Sequence, residues 1–245
     1  MSPKARRPIR TEPHAREIEF IGDSGMTGYG IRSATRQCTK EEVRLRTDTQ
    51  LAYPVLVAKH FGADYEINAV SGRGLVRNYD GTTPDIPMSR IYRYTLPATR
   101  EIGDHSAWQP QIVVFFLYGN DFIKDLHPGE KWRNLDELVA DYVRTAGNFL
   151  AEVHHRSPGA AVLMILPDFA KEPDPKIVRI AGSARESIAA SARAAGIANA
   201  LFPTMTDLGF DRSACDYHPS IADHRKLAHW LTNYIEAHSE LWQRR

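Results

Sequence analysis

The sequence has few of the features that mark several large classes of protein. Its 245 residues include two cysteines, Cys38 and Cys215, which is too few for a disulfide-rich scaffold or a four-cysteine zinc site. The two can form one disulfide or remain free thiols. No apolar run approaches the roughly 20 residues of a membrane-spanning helix. The net charge of +1 gives no sign of a nucleic-acid or membrane partner.

The first 16 residues also lack a clear structural pattern. They are basic and rich in proline, without the apolar stretch of a secretory signal, and we expect a flexible tail or the stub of a linker. Residues 17–245 suit one globular domain. The chain is then either intracellular or a trimmed mature form of a secreted or periplasmic protein.

Strand and helix patterns alternate along the rest of the chain, with one poorly legible region at 75–105. This alternation predicts an α/β fold whose parallel sheet carries helices on both faces, because parallel strands need crossover connections. Ile112 to Leu117 is apolar throughout, as is typical of a strand covered on both sides. Strands are predicted near 17–22, 65–70, 112–117, 161–166 and 197–202, and helices near 48–61, 88–100, 134–156, 175–195 and 221–239.

Four polar or small residues stand in the loops that this fold would bring together. Ser24, Gly72 and Asn120 each follow a predicted strand, and His218 precedes the last helix. The carboxyl ends of parallel strands open into one crevice, so these residues are expected to meet there.

Together the four residues fit acyl transfer. A serine hydroxyl needs a base to take its proton as it attacks, and histidine titrates close to neutral pH. The backbone amides of Ser24 and Gly72 and the side-chain NH₂ of Asn120 are candidate donors to the oxyanion of a tetrahedral intermediate. Asp216 is the candidate acid that orients His218.

These residues lie in motifs that resemble a known family. Gly22-Asp23-Ser24, Ser71-Gly72, Gly119-Asn120-Asp121 and Asp216-Tyr217-His218-Pro219 resemble the four blocks of the SGNH (GDSL) hydrolases in order and context. Within that superfamily the Phe20–Ser24, Gly28–Gly30, Ser71–Gly74 and Asp216–Ser220 segments look most like carbohydrate esterase family 2, which removes acetyl groups from polysaccharides such as xylan and glucomannan.

The resemblance has structural and chemical implications. It implies a three-layer α/β/α sandwich with a flavodoxin-like, five-stranded parallel sheet, and no metal or organic cofactor. It also implies Ser24 as nucleophile, His218 as base, and Gly72 and Asn120 in the oxyanion hole.

The chain departs from the family pattern at three places. Most SGNH enzymes carry the catalytic Asp three residues before the His, where this chain has Cys215. Either Asp216 or a backbone carbonyl therefore orients His218. Tyr118 replaces a small residue beside the pocket. The N-terminal β-sandwich of carbohydrate esterase family 2 has no counterpart in the first 16 residues.

Other residues near the motifs have both functional and structural interpretations. Tyr29, Arg73, Tyr118 and Tyr217 are candidate substrate contacts, although aromatic residues near a cleft also serve packing and Arg73 also suits a solvated surface. Cys38 follows the loop of Ser24, and Cys215 lies three residues before His218. A disulfide between them would rigidify the loop of His218.

The sequence therefore predicts a serine esterase that acts on O-acetyl groups of carbohydrates through a Ser-His(-Asp) acyl-enzyme mechanism. Two alternatives remain open. One is a lipid esterase or thioesterase of the same fold, and the other is a carbohydrate-binding protein on an esterase scaffold without activity.

Overall fold

A computed structural model describes residues 15–96, 100–102, 108–167, 175–205 and 207–243, so the predicted tail lies almost wholly outside the described residues. No helix in the described ranges is both long and apolar enough to cross a membrane. The strands are β1 (Glu17–Gly22), β2 (Asp64–Ala69), β3 (Tyr94–Leu96), β4 (Glu101–Ile102), β5 (Ile112–Phe116), β6 (Ala161–Met164), β7 (Leu166–Pro167), β8 (Ala200–Leu201) and β9 (Thr204–Met205). The helices are α1 (Ser24–Thr27), α2 (Lys40–Arg46), α3 (Tyr53–Phe61), α4 (Met88–Ile91), α5 (Gly119–Phe122), α6 (Leu135–Arg156), α7 (Pro175–Ala194) and α8 (Ile221–Ala237).

Five strands form the central sheet, in the order β2-β1-β5-β6-β8. Every pairing is parallel, and β1 lies between its two neighbours with Ile18 opposite Tyr65 on β2 and Ile112 on β5. Numbered within the sheet, the order is 2-1-3-4-5, which is that of flavodoxin. The predicted five-stranded parallel sheet is confirmed.

The two faces of the sheet bury separate apolar cores, because successive side chains of a strand point to opposite faces. Phe20 and Val114 point to the face that α3 and α8 cover, and Ile21 and Phe115 point to the face covered by α6 and α7. Helices thus flank the sheet on both sides, and the three-layer sandwich is confirmed.

Several local predictions were wrong. The predicted helix at 88–100 ends after one turn at Ile91, and β3 follows it and pairs antiparallel with β4. The predicted strand at 161–166 divides at Ile165, and its second part, β7, pairs with β9 in a separate two-stranded sheet. The fifth strand of the main sheet is reduced to Ala200 and Leu201.

The segment before α3 also differs from the prediction. Helix α2 has no buried residue, and the side chain of Thr39 accepts from the N–H of Glu42 in a capping box. The helix predicted from residue 48 begins instead at Tyr53, because Asp48 caps a short 3₁₀ turn and Pro54 suits the first turn of α3. This arrangement brings the chain from the end of β1 back to the sheet edge.

Candidate active site

The fold brings four predicted site residues to the end of the sheet where the parallel strands have their carboxyl ends. Ser24 follows β1 as the first residue of α1, Gly72 lies in the turn after β2, and Asn120 lies in α5 directly after β5. His218 lies three residues before α8. All four therefore lie at the carboxyl ends of strands or beside them, as the parallel topology requires.

Ser24 is held by contacts within a few residues of the chain. The Asp23 side chain caps α1 by accepting a hydrogen bond from the Gly25 N–H at 2.9 Å. The helix ends at Gly28, whose φ of +68° favours glycine and whose missing Cβ would lie 2.4 Å from the Asp48 carbonyl oxygen. A four-residue helix with a tight stop thus presents the hydroxyl at the rim of the sheet.

The Ser24 hydroxyl meets the imidazole of His218. Ser24 Oγ lies 2.9 Å from His218 Nε2, and His218 Nδ1 lies 3.0 Å from the carbonyl oxygen of Cys215. A carbonyl only accepts, so Nδ1 carries the proton and Nε2 is free to accept from the hydroxyl. Burial lowers the pKa of His218 below its usual value, which keeps the ring neutral at pH 7.

Asp216 lies near the imidazole without orienting it. Its carboxylate Oδ2 accepts a hydrogen bond from the Tyr29 hydroxyl at 2.9 Å, while the Cys215 carbonyl is the partner of Nδ1. Asp216 has a left-handed backbone, with φ of 51°, which puts it in a turn. Of the two arrangements that the sequence left open, the structure has the backbone carbonyl, and Asp216 acts on His218 through its charge, which raises the pKa.

Tyr29 connects the two loops. Its ring stacks on the imidazole of His218, with ring centroids 4.1 Å apart and planes inclined by 28°. Burial and the hydrogen bond to Asp216 raise the pKa of Tyr29 to about 12, so the hydroxyl remains a donor near neutral pH. The predicted substrate contact is thus also a support for the base.

Three groups near Ser24 are candidate oxyanion donors. The N–H groups of Ser24 and Gly72 have no acceptor in the part of the chain that the structure describes. The side-chain nitrogen of Asn120 donates to Asp23 Oδ2 at 2.9 Å and to the carbonyl oxygen of Arg73 at 2.8 Å. Asn120 therefore ties the loop after β2 to the loop that carries Ser24.

Two carboxylates beneath these loops were not singled out from the sequence. Asp121 accepts hydrogen bonds from the N–H groups of Leu75, Val76 and Arg77 at 2.8–2.9 Å, which fixes the loop after Gly72. Burial raises the pKa of Asp121 to about 6 and that of Asp23 to about 6 as well. Both stand inside recognised motifs, but an Asp beside Gly or Asn also suits an ordinary turn.

The remaining candidate substrate residues are placed differently from one another. Tyr217 has 61% of its surface exposed and lies under the guanidinium of Arg36 at 4.9 Å. Tyr118 stacks on Phe116 and packs against the core under α6, so much of its surface serves packing. Arg73 donates from Nη1 to the Thr83 hydroxyl at 2.5 Å.

A disulfide joins Cys38 to Cys215, whose sequence positions are 177 residues apart. Cys215 is fully buried, and Cys38 is half-buried. The bond therefore attaches the segment before α2 to the residue whose carbonyl contacts His218.

Comparison with known proteins shows the family to which the chain is similar. The chain is 35% identical to an acetylxylan esterase/glucomannan deacetylase of Cellvibrio japonicus over 96% of its own length, and it spans 63% of that relative, which is less than two thirds. A solved carbohydrate esterase, described as having divergent catalytic and non-catalytic binding functions at its active site, superposes with a TM-score of 0.86. It is 35% identical, over 95% of this chain and 72% of the other. A family two carbohydrate esterase from Clostridium thermocellum, solved with cellohexaose, is 27% identical with a TM-score of 0.74, over 95% of this chain and 67% of the other.

These relatives confirm the resemblance to carbohydrate esterase family 2. The model of the GDSL-like lipase/acylhydrolase family matches residues 18–231, a range that includes Ser24, Gly72, Asn120 and His218. The chain belongs to the GDSL-like lipase/acylhydrolase family.

Proposed function

We propose that the protein is a serine esterase that removes acetyl groups from acetylated carbohydrates. The observation that carries the proposal is the 2.9 Å contact between Ser24 Oγ and Nε2 of a histidine whose other nitrogen is held by a carbonyl. That arrangement supplies a nucleophile and a base with the correct tautomer. No cofactor is needed for this chemistry.

In the first half of the reaction, Nε2 of His218 takes the Ser24 proton as Oγ attacks the acetyl carbonyl. The resulting oxyanion receives hydrogen bonds from the N–H groups of Ser24 and Gly72, which are free to donate. Asn120 contributes a third donor by sharing one N–H between its present acceptor and the oxyanion, as a three-centre bond. As the intermediate collapses, the bond between the acetyl carbon and the sugar oxygen breaks, and the imidazolium gives its proton to that oxygen, which leaves as a hydroxyl.

In the second half, a water molecule replaces the sugar. His218 takes a proton from this water, which attacks the acetyl-serine carbonyl, and acetate leaves as Ser24 Oγ recovers its proton. The Cys215 carbonyl supports the imidazolium in both halves by accepting from Nδ1. The carboxylate of Asp216 contributes favourable charge beside it.

The choice of a carbohydrate ester rests on the relatives and on the rim of the site. An acetylxylan esterase/glucomannan deacetylase is 35% identical to this chain, although it is longer. The exposed ring of Tyr217 offers an apolar face beside the base, which suits stacking against a sugar ring. Tyr29, Arg73 and Tyr118 are the further proposed contacts, and we expect smaller effects from Tyr118 because its ring packs against the core.

Acetate release from acetylated xylan and acetylated glucomannan, measured beside p-nitrophenyl acetate and p-nitrophenyl decanoate, tests the proposal. We expect hydrolysis of the acetyl substrates, with the decanoate a poor substrate, and Ser24→Ala should remove activity. Ser191→Ala is the matched control, because its hydroxyl on α7 donates only to the Ser187 carbonyl.

Three results would contradict the proposal. Full activity in Ser24→Ala would exclude the nucleophile. A strong preference for the decanoate over every acetyl ester would favour the lipid esterase alternative. Absence of acetate release from any of these substrates would favour the non-catalytic carbohydrate-binding alternative.

A further inference from the structure

The loop that carries His218 has an unusual concentration of left-handed backbone. Arg212, Asp216 and Tyr217 have φ values of 48°, 51° and 62°, although none is glycine. Residues with a Cβ rarely adopt this conformation, which persists only where surrounding contacts hold it. The conformation of the loop therefore depends on what packs against it.

Residues 33–38, which we name the brace segment, supply several of those contacts. The Arg36 guanidinium donates from Nε to the carbonyl of Arg212 at 3.0 Å and from Nη2 to the carbonyl of Asp211 at 2.9 Å. The Arg36 carbonyl accepts from the N–H of Asp216 at 2.8 Å, and the guanidinium lies over the Tyr217 ring. The brace segment thus contacts the loop at each of its three left-handed residues.

The brace segment ends in the disulfide to Cys215. The carbonyl of Cys215 accepts from both the backbone N–H and Nδ1 of His218, each at 3.0 Å. Within the described residues no carboxylate is hydrogen-bonded to Nδ1, and Asp216 accepts a hydrogen bond from Tyr29 instead. One covalent bond therefore restrains the residue whose carbonyl aims the imidazole at Ser24.

On the basis of the proposed esterase function, we propose that the brace segment positions the base. Arg36 and the Cys38–Cys215 disulfide hold the Cys215 carbonyl where it orients His218, so that reduction of the disulfide slows the reaction. The imidazole then spends less time aligned with Ser24. With p-nitrophenyl acetate, which carries no sugar ring, the expected loss is in kcat rather than KM. Because the guanidinium of Arg36 lies over the ring of Tyr217, a proposed sugar contact, KM for acetylated polysaccharides should rise as well.

The reductive step is a simple exchange. A dithiol such as dithiothreitol supplies two electrons and two protons, the S–S bond breaks, and Cys38 and Cys215 become thiols as the reagent becomes its cyclic disulfide. Cys38 is half-buried, so a small reagent can approach its sulfur.

The pH dependence gives a readout that overall stability does not. Four titratable or charged groups among the described residues interact with His218. The charge of Asp216 raises its pKa and the charge of Arg212 lowers it. Tyr29 stacks on the ring, and His224 on α8 interacts with it electrostatically. The hydrogen bond to the Cys215 carbonyl also raises the pKa, so weakening that bond lowers it. The acid limb of kcat/KM should therefore move to lower pH after reduction.

The test compares the oxidised wild type, the wild type reduced by dithiothreitol, and Cys38→Ser/Cys215→Ser with and without dithiothreitol. We expect kcat to fall about 10- to 100-fold in the reduced wild type and in the double variant, because small displacements of a catalytic group have effects of this size. KM for p-nitrophenyl acetate should change little, and reoxidation should restore the activity of the wild type. The double variant should not respond to dithiothreitol, which controls for effects of the reagent itself.

Arg36→Gln tests the brace segment with the disulfide intact. We expect a smaller fall in kcat and the same direction of shift in the acid limb. Arg44→Gln is the matched control, because its guanidinium pairs with Glu41 on the exposed surface of α2. Circular dichroism at the assay temperature establishes whether each variant is folded. If the double variant is unfolded, the result for Arg36→Gln decides whether the inference stands.

Wild-type kcat and an unshifted acid limb in the reduced enzyme, or in Arg36→Gln if that variant decides, would overturn the inference, even if the melting temperature falls. A lower melting temperature alone would assign the disulfide a structural role only. An oxidised wild type without esterase activity would instead overturn the proposed function, and this inference with it.

Discussion

The nucleophile and the base of this site are positioned in different ways. Ser24 depends mainly on contacts that are close in sequence: β1 delivers it, Asp23 caps its short helix, and Gly28 ends that helix. One distant contact, from Asn120 to Asp23, adds to these. The loop of His218 depends on contacts that span 175–177 residues of the chain, through the disulfide to Cys38 and the hydrogen bonds of Arg36.

The difference shows why one half of the pair is easy to anticipate and the other is not. A strand that ends in Gly-Asp-Ser and a turn is a local pattern, and its geometry follows from the sheet. The loop of His218 has no regular structure of its own beyond a 3₁₀ turn at Cys215–Tyr217, so its shape follows from distant contacts. Changes near Ser24 should act on chemistry alone, and changes near His218 should act on chemistry through conformation.

The largest effect should come from His218→Gln. Because the base and the nucleophile act as a unit, we expect kcat for p-nitrophenyl acetate to fall at least about 1000-fold, and Ser24→Ala/His218→Gln should be no worse than either single variant. His229→Gln, an exposed histidine on α8, is the control. An additive loss in the double variant would show that the two residues act separately.

Asn120→Ala should rank next, because it removes both a candidate oxyanion donor and a contact that holds the Ser24 loop. It takes one candidate oxyanion donor away, for which the usual cost is about 100- to 1000-fold in kcat, and leaves the buried Asp23 carboxylate with one hydrogen-bond donor fewer. Kinetics and thermal unfolding measure the two consequences. Asn233→Ala on the exposed side of α8 should change neither, and wild-type kcat in Asn120→Ala would exclude the proposed donor.

Gly30→Ala and Gly62→Ala together distinguish the effect of backbone strain from the effect of displacing His218. Gly30 and Gly62 have nearly equal φ values of +57° and +58°, but an added Cβ at Gly30 would lie 2.4 Å from Cys215 Cβ, whereas at Gly62 it would meet nothing within 4 Å. Both substitutions should lower stability by about 1 kcal/mol through the left-handed backbone. Only Gly30→Ala should also lower kcat, by about tenfold, as small misplacements do. Equal kcat values in the two folded variants would contradict this account of the loop.

The smallest effects should appear in the pH profile. Burial lowers the pKa of His218, and the protonated ring cannot accept the Ser24 proton, so the acid limb of kcat/KM should have its midpoint below 6.5. Asp216→Asn removes a charge that raises this pKa and should move the midpoint lower. Arg212→Gln removes a charge that lowers it and should move the midpoint higher. Shifts in the same direction would show that these charges do not act on His218.

Much of the fold was predictable because its strongest elements carry strong local patterns. The wholly apolar β5, the long apolar stripe of α6 and the capped α8 all form within two residues of their predicted bounds. Helix α2 was missed because it buries nothing, so no apolar stripe reveals it, and its stability comes from caps and exposed ion pairs. The strands β7 and β9 form by pairing with each other across a distant part of the chain, which no local pattern encodes. The strands β3 and β4 pair locally, but with three and two residues they are too short to show an alternating pattern.

In the candidate site, too, local patterns and topology predicted some features, and others depended on distant contacts. The convergence of Ser24, Gly72, Asn120 and His218 could be predicted from topology, since each stands beside the carboxyl end of a strand. The orientation of His218 could not, because the choice between Asp216 and the Cys215 carbonyl depends on the left-handed turn at Asp216. The role of Arg36 was equally hidden, since a surface arginine gives no sequence signal for the carbonyls that it contacts.

Whether Ser24 and His218 act as one catalytic pair can be measured by the mass of the intact protein after reaction with a fluorophosphonate. We expect one adduct per chain, located on the peptide that contains Ser24, with loss of esterase activity in proportion to labelling and far slower labelling of His218→Gln. A fully labelled enzyme that retains its activity, or an adduct on another residue that accounts for the inactivation, would contradict it.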